Sequence, residues 1–381
     1  MRHIFFSFIL LLVLNSCMTN CSNNQSSSST DSKDITYSQL MKVKNSDNFT
    51  SVEIVNPWKK ETILQRYILV PREDELPNNL PEGTLIRTPI KNIVIYSSIH
   101  AKILKEFGAL DKIIGVCEPQ YMTEPYIIEG VKNGSITNLG QASNPSVEKI
   151  IDIETEIIIA SPFENSSYGA VARVGIPIIE AADYLEQSPL ARAEWIKLYG
   201  LLFGKESIAD SIFNETEKNY LALTALCDTI PDNEKPTLIT DKLYGSSWDI
   251  SPSGSYAAKM YQDAGAAYIF KDLPGTKNIP MSFESVFDKA IDADIWIIKY
   301  YSYDGNLSYD LLSSDYKPYS NFKAFKNQTI FGCNTSPALH RPNYYDDIAL
   351  HPDLILKDLI KVFHPDLLPD YELRYFLRLE N

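Results

Sequence analysis

Two segments repeat one pattern in the two halves of the chain, and each carries one carboxylate able to do electrostatic work. The first is Ser146-Val147-Glu148, then a short helical run, then the apolar strand Ile157-Ile158-Ile159. The second is Ser282-Phe283-Glu284, then a short helical run, then Ile295-Trp296-Ile297-Ile298. Each acid sits at a helix start, where the dipole favours it, so two solvated helix-start acids is the plain reading. The sharper reading is a matched pair. Exposed carboxylates at equivalent points of two similar lobes steer and orient a partner, adding on-rate and register more than affinity. Two-lobed proteins hold a ligand between the lobes.

Other chemistry finds little support. There is no HExxH, no GxSxG, no P-loop and no GxGxxG after a strand. His340, His351 and His364 lack metal-ligand spacing, and Cys117, Cys227 and Cys333 form no CxxC, so they read as buried thiols. No catalytic residue, metal site or intrinsic cofactor is expected, and a two-lobed metalloenzyme stays a distant alternative. A net charge of −14 argues against nucleic acid, because no basic stripe neutralises phosphates. The 23 tyrosines, against 5 histidines, suggest broad amphipathic contact surfaces.

These residues need elements to position them. At 381 residues the chain predicts two domains. Arg2 and His3 precede an apolar run from Ile4 to Leu14, too short to span a membrane. Leu14-Asn15-Ser16-Cys17 resembles a bacterial lipobox, making 1–17 a lipoprotein signal peptide and Cys17 the lipidated first residue. A plain secretory signal is the alternative, and Cys21 is a second candidate. Residues 18–49 read as a flexible tether. Short β-type runs at Thr50–Ile54, Arg66–Val70 and Thr84–Arg87 predict a small antiparallel addition at 50–90. Strands alternating with helices then predict an N-terminal lobe over 50–187 and a C-terminal lobe over 231–381, each with a parallel sheet. Between them, 188–230 lacks proline after Pro189, with helices at Leu190–Phe203 and from about Ser207 to Cys227. The second reads as a rigid strut that resists hinge closure.

The order of these elements, the lipobox and the paired Glu segments together resemble a class III periplasmic binding protein, over roughly residues 90–365. Phe107-Gly108-Ala109 to Gly115-Val116, Asn144 to Ala160, and Tyr261 to Phe270 with Asp263-Ala264-Gly265-Ala266 carry the likeness. The resemblance implies a fold of two Rossmann-like α/β lobes joined by a single long backbone helix, with a ligand cleft between them. It implies an ABC importer for cobalamin, haem or ferric siderophores. Glu148 and Glu284 match the positions that dock on arginines of the inner-membrane permease.

Ligands of such folds sit in loops after the C-terminal ends of strands. That picks out Tyr96, Ser98, His100, Tyr121, Phe163, Tyr168, Tyr244, Trp248, Tyr300, Tyr301, His340 and Arg341, with Trp248 foremost because it follows Gly245-Ser246-Ser247 in a polar loop. Arg341, Lys242 and Lys299 form no convincing cationic cluster. A corrinoid therefore ranks slightly above a ferric siderophore, and haem third. The reading is a monomeric, lipid-anchored periplasmic protein serving a permease. A surface lipoprotein that captures ligand without a permease stays open.

Overall fold

Residues 35–165, 167–300, 307–334 and 344–380 are described in the structure, a computed structural model. The signal segment 1–17 with Cys17, and the tether up to residue 34, lie outside the described residues. The chain then enters a sheet of β1 (Met41–Ser46), β2 (Phe49–Val55), β3 (Ile63–Pro71) and β4 (Thr84–Thr88), in that order. The first two pairings are antiparallel, as expected, but β3–β4 is parallel. The 72–83 connection is long enough for the crossover that a parallel pair needs.

The tether assigned to 18–49 ends earlier than its composition suggests. Backbone N–H groups of Thr36, Tyr37 and Ser38 each donate to the Glu194 carboxylate at 2.8 Å. Gln39 and Leu40 donate to Glu186, which also accepts from the Trp195 indole at 2.9 Å. Both carboxylates are buried, and a buried carboxylate must be given donors. An unpaired N-terminal backbone supplies them. The partners lie more than a hundred residues apart, so local composition could not announce the contact.

The N-terminal lobe is built on β5 (Ile93–Ile95), β6 (Ile113–Val116), β7 (Thr137–Asn138), β8 (Ile157–Ala160) and β9 (Ile178–Glu180). They form one parallel sheet in the order β7-β6-β5-β8-β9. The Tyr67 hydroxyl of β3 donates to Ile178 O and accepts from Glu180 N, both at 2.8 Å, pinning the extra sheet to this edge. Met41, Val52 and Tyr67 join Trp195 and Tyr199 in one core.

The C-terminal lobe has β10 (Thr237–Thr240), β11 (Leu243–Tyr244), β12 (Ser247–Ile250), β13 (Ala267–Tyr268), β14 (Ile279–Met281), β15 (Ile295–Tyr300), β16 (Ile330–Asn334) and β17 (Phe376–Arg378). Its main sheet runs β13-β10-β15-β16-β17, parallel except for β17, and β11-β12-β14 is a smaller sheet. The strand arrangement β6-β5-β8-β9 recurs as β13-β10-β15-β16. The helix Val147–Asp152 feeds β8 and the helix Phe283–Ala290 feeds β15, so the repeat read from the Glu segments is a repeat of topology.

The segment between the lobes holds three helices, Pro189–Ala193, Ile196–Phe203 and Glu206–Cys227: the strut expected from about Ser207 to Cys227 is one helix, and the helix expected at Leu190–Phe203 is broken in two. The first break falls at Glu194-Trp195, whose side chains are committed to the N-terminal segment and to Glu186. The second falls at Gly204, in the left-handed region at φ +63°. The 22-residue piece spans about 33 Å at 1.5 Å per residue. Ala209 and Phe213 enter the N-terminal core, while Tyr220 and Cys227 enter the C-terminal core. This one helix therefore belongs to both lobes, as a strut should. The C-terminal helices Tyr344–Asp347 and Pro352–Phe363 are separated at His351-Pro352, and the second starts on proline, where the missing N–H costs nothing. They also return to the first lobe, with Asp347 3.3 Å from Lys102 Nζ and His351 Nε2 3.6 Å from Glu106.

Candidate functional site

In both sheets the strand order reverses near the centre, between β5 and β8 and between β10 and β15. Parallel sheets open a crevice at such a switch point, beyond the strand C-termini. In the second lobe two charged residues stand there. Asp241 follows β10, and Lys299 is near the end of β15, whose preceding four residues are wholly apolar. The strands pair in register with Thr240 opposite Ile297, which brings the two side chains together. Lys299 Nζ lies 2.7 Å from Asp241 Oδ2 and 3.1 Å from the Tyr261 hydroxyl. Burial opposes the ammonium charge, but the fields of Asp241 and Tyr261 outweigh it, and the lysine pKa rises well above its usual value.

This pair faces a cavity of about 420 Å³ between the lobes. Tyr184 to Gln187, in the connection after β9, line it from the first lobe; Tyr256, Lys277 and Asn278 join Asp241 and Lys299 from the second. Phe163 packs near Tyr184, ring centres 6.3 Å apart, and Glu164 meets Lys277 at 2.9 Å, so the mouth is crossed by an exposed ion pair. Beside the cavity, Arg192 pairs with Asp183 at 3.0 Å, both buried, and its guanidinium lies 5.5 Å from the Tyr256 ring centre of the other lobe.

Two indoles hold the β10 end in place. Trp248 Nε1 donates to Thr240 O at 2.8 Å, and Trp296 Nε1 donates to Asp241 O at 2.7 Å. Trp248, expected as the foremost ligand contact, is thus corrected. It is fully buried, stacks on Trp296 at 5.7 Å and packs edge-on to Tyr319, so it has no surface for a ligand. The polar loop before it is only the tip of the β11–β12 hairpin. Trp248→Ala should destabilise the protein by about 3–5 kcal/mol, as large buried aromatics do. Urea unfolding checks this; a change under 1 kcal/mol would contradict the packing.

His100 is likewise a core residue rather than a ligand contact. It is fully buried, with Nδ1 2.8 Å from the Tyr199 hydroxyl. Burial lowers its pKa to about 3. The unfolded chain protonates His100 near 6.5 while the native chain does not, so its contribution to stability is lost as pH falls below 6.5. Between pH 7 and 5 this amounts to about 2 kcal/mol at 1.36 kcal/mol per unit. In urea titrations at those two pH values, His100→Asn should show a drop smaller by that amount; an equal drop would contradict it.

The other expected contacts are scattered. Ser98 spends its hydroxyl on Asp346 at 3.2 Å. Tyr168 bonds Glu180, and the Tyr168 and Tyr96 rings pack against the Val94–Cys117–Ile158 cluster. Tyr121, Phe163 and Tyr244 are exposed at 55%, 67% and 90%, and none of the three lines the cavity. Tyr301, His340 and Arg341, with the side chain of Tyr300, lie outside the described residues. What the sequence reading missed is Asp241, Tyr184 and Tyr256, and it discounted Lys299. The available signal was a charged residue closing each of two neighbouring apolar strands.

Glu148 and Glu284 are exposed, in first turns capped by Ser146 and Ser282. Neither carboxylate has an ion-pair partner among the described residues.

A family model described as periplasmic binding protein matches residues 93–337. The chain belongs to the periplasmic binding protein family. That family is one of solute-binding proteins rather than enzymes, with two α/β lobes. An uncharacterized lipoprotein of Methanocaldococcus jannaschii is 27% identical over 356 residues, covering 86% of this chain and 82% of its own. Among solved structures, a TroA-like periplasmic binding protein of Veillonella parvula matches with a TM-score of 0.57 at 17% identity, over 78% of this chain and 97% of that one. A periplasmic heme binding protein of Pseudomonas aeruginosa matches at 0.57 and 13%, over 76% and 98%. At these identities the family likeness is one of fold, and the ligand must be argued from the cavity.

Proposed function

We propose that this protein is the substrate-binding lipoprotein of an ABC importer, capturing an iron chelate in the interlobe cavity. It is anchored outside the cytoplasm through Cys17 and hands its cargo to an inner-membrane permease across the rim bearing Glu148 and Glu284. The observation that carries the ligand reading is the Asp241–Lys299 pair at the switch point, facing a cavity shared by both lobes. Its volume of about 420 Å³ lies at the low end of the roughly 300–1,000 Å³ of ligand pockets. A corrinoid, with a nucleotide loop below its macrocycle, is larger than a drug-sized ligand, which supports placing a ferric chelate ahead of it. Lys299 and Lys277 offer ammonium donors to an anionic chelate, and Tyr184 and Tyr256 offer flat faces and hydroxyls.

Haem is the second reading. It is favoured by the Pseudomonas aeruginosa neighbour and by cavity tyrosines, a residue type able to ligate haem iron. Calorimetric titration with ferric tris-catecholate, ferric desferrioxamine, ferric citrate, haemin and cyanocobalamin separates these. A ferric chelate should bind at micromolar affinity or better. Cyanocobalamin binding tightest would restore the corrinoid, and silence from all five would sink the chelate reading.

A further inference from the structure

The extra sheet at 41–88 lies outside the family-matching residues 93–337, yet it reaches the cavity. Leu40, Pro57 and Trp58 line it along with the two lobes. We propose that this sheet is a specificity element that supplies a third wall of the ligand site, with Trp58 as its ligand-contacting residue. The proposal rests on the interlobe cavity being the binding site.

Trp58 differs from the other tryptophans in what it packs on. Trp195, Trp248 and Trp296 are exposed by 1%, 0% and 0%, and each spends its indole N–H on a protein oxygen. Trp58 is only half-buried, belongs to none of the hydrophobic clusters, and its indole N–H has no acceptor among the described residues. A large aromatic left outside a core is the unusual case, because burying it stabilises more than almost any other side chain.

The loop that carries Trp58 is held in place by its own polar groups. Asn56 N donates to Thr62 O at 2.9 Å, closing the loop at its base. The Asn56 side-chain oxygen accepts from the N–H of Trp58 at 3.0 Å and of Lys59 at 2.9 Å, and the Thr62 hydroxyl donates to Lys59 O at 2.8 Å. Behind it, the Tyr67 bonds fix the sheet to β9, whose following residues form the first-lobe wall. The indole is therefore presented on a preorganised support, which lowers the ordering cost of binding. Lys299 and Tyr256 line the same cavity. A ligand filling the space shares it with a cation, a phenol and an indole that has one free N–H donor. That combination suits a chelate with a planar, aromatic or conjugated edge and anionic oxygens, such as an aryl-oxygen ferric chelate, over a purely aliphatic one.

The test uses the full chain with the same five probes, in calorimetry, for wild type, Trp58→Ala, Trp58→Phe and the loop control Lys60→Ala. Trp58→Ala should weaken the tightest probe at least tenfold, Trp58→Phe should retain most of the affinity, and Lys60→Ala should leave it within twofold. In wild type the emission maximum should move to the blue on binding, because the one solvent-touched indole becomes covered, and Trp58→Phe should lose that shift while still binding. If a probe binds wild type and Trp58→Ala binds it within twofold, the third wall is refuted and the cavity reading stands. If no probe binds wild type, both fall together. Thermal melting within about 2 °C of wild type confirms that the variants fold.

Discussion

Replacing Glu148 and Glu284 together by alanine should cut ligand uptake into cells at least tenfold while leaving ligand affinity within twofold. Both carboxylates are exposed, neither is used by the fold, and they sit at equivalent points of a repeated topology. Charges at the rim of an interface set encounter rate and register rather than packing, so their loss shows in transport and in its salt dependence. Removing them leaves the Ser146 and Ser282 caps intact, so melting should barely move. Uptake of radioiron in a strain dependent on this protein, beside calorimetry on the purified variant, reads both quantities. Loss of affinity would place the two acids at the ligand; unchanged uptake would return them to solvated helix starts.

Lys299→Met should have a double effect. The ammonium is about one-fifth exposed and so is its partner Asp241. Breaking a fully buried pair costs about 3–5 kcal/mol, and with this exposure about 2–3 kcal/mol is expected, because the surviving carboxylate gains some water. Affinity for an anionic ferric chelate should also fall at least tenfold, as one charge-assisted donor is lost. The two effects separate in Lys299→Met with Asp241→Leu, which removes the orphaned charge. The double variant should recover most of the stability and none of the affinity. Recovery of both, or affinity kept in the single variant, would make the pair purely structural.

The fold was legible where hydrophobic runs were long and the repeat local. Ile157–Ile159 and Ile295–Ile298 are central parallel strands, which must be apolar on both faces. The breaks at Gly204 and His351-Pro352 were legible because glycine and proline act through backbone geometry alone. The break at Glu194-Trp195 was not, since the donors that claim Glu194 come from the far N-terminus. The site was harder still. Aromatic loop residues look alike in sequence whether they face a ligand, as Tyr184 is placed to do, or fill a core, as Trp248 does. What separates them is where the loop lands in three dimensions. Asp241 and Lys299 gave a weak signal as charges ending apolar strands, but only the β10–β15 register makes them a pair.

The most direct measurement is an iron anomalous difference map from crystals grown with the tightest-binding ferric probe. One strong peak is expected between the lobes, in the cavity lined by Tyr184, Tyr256, Lys299 and Trp58. A peak outside that cavity, or a ligand held by the exposed Tyr121 and Tyr244 instead, would contradict it.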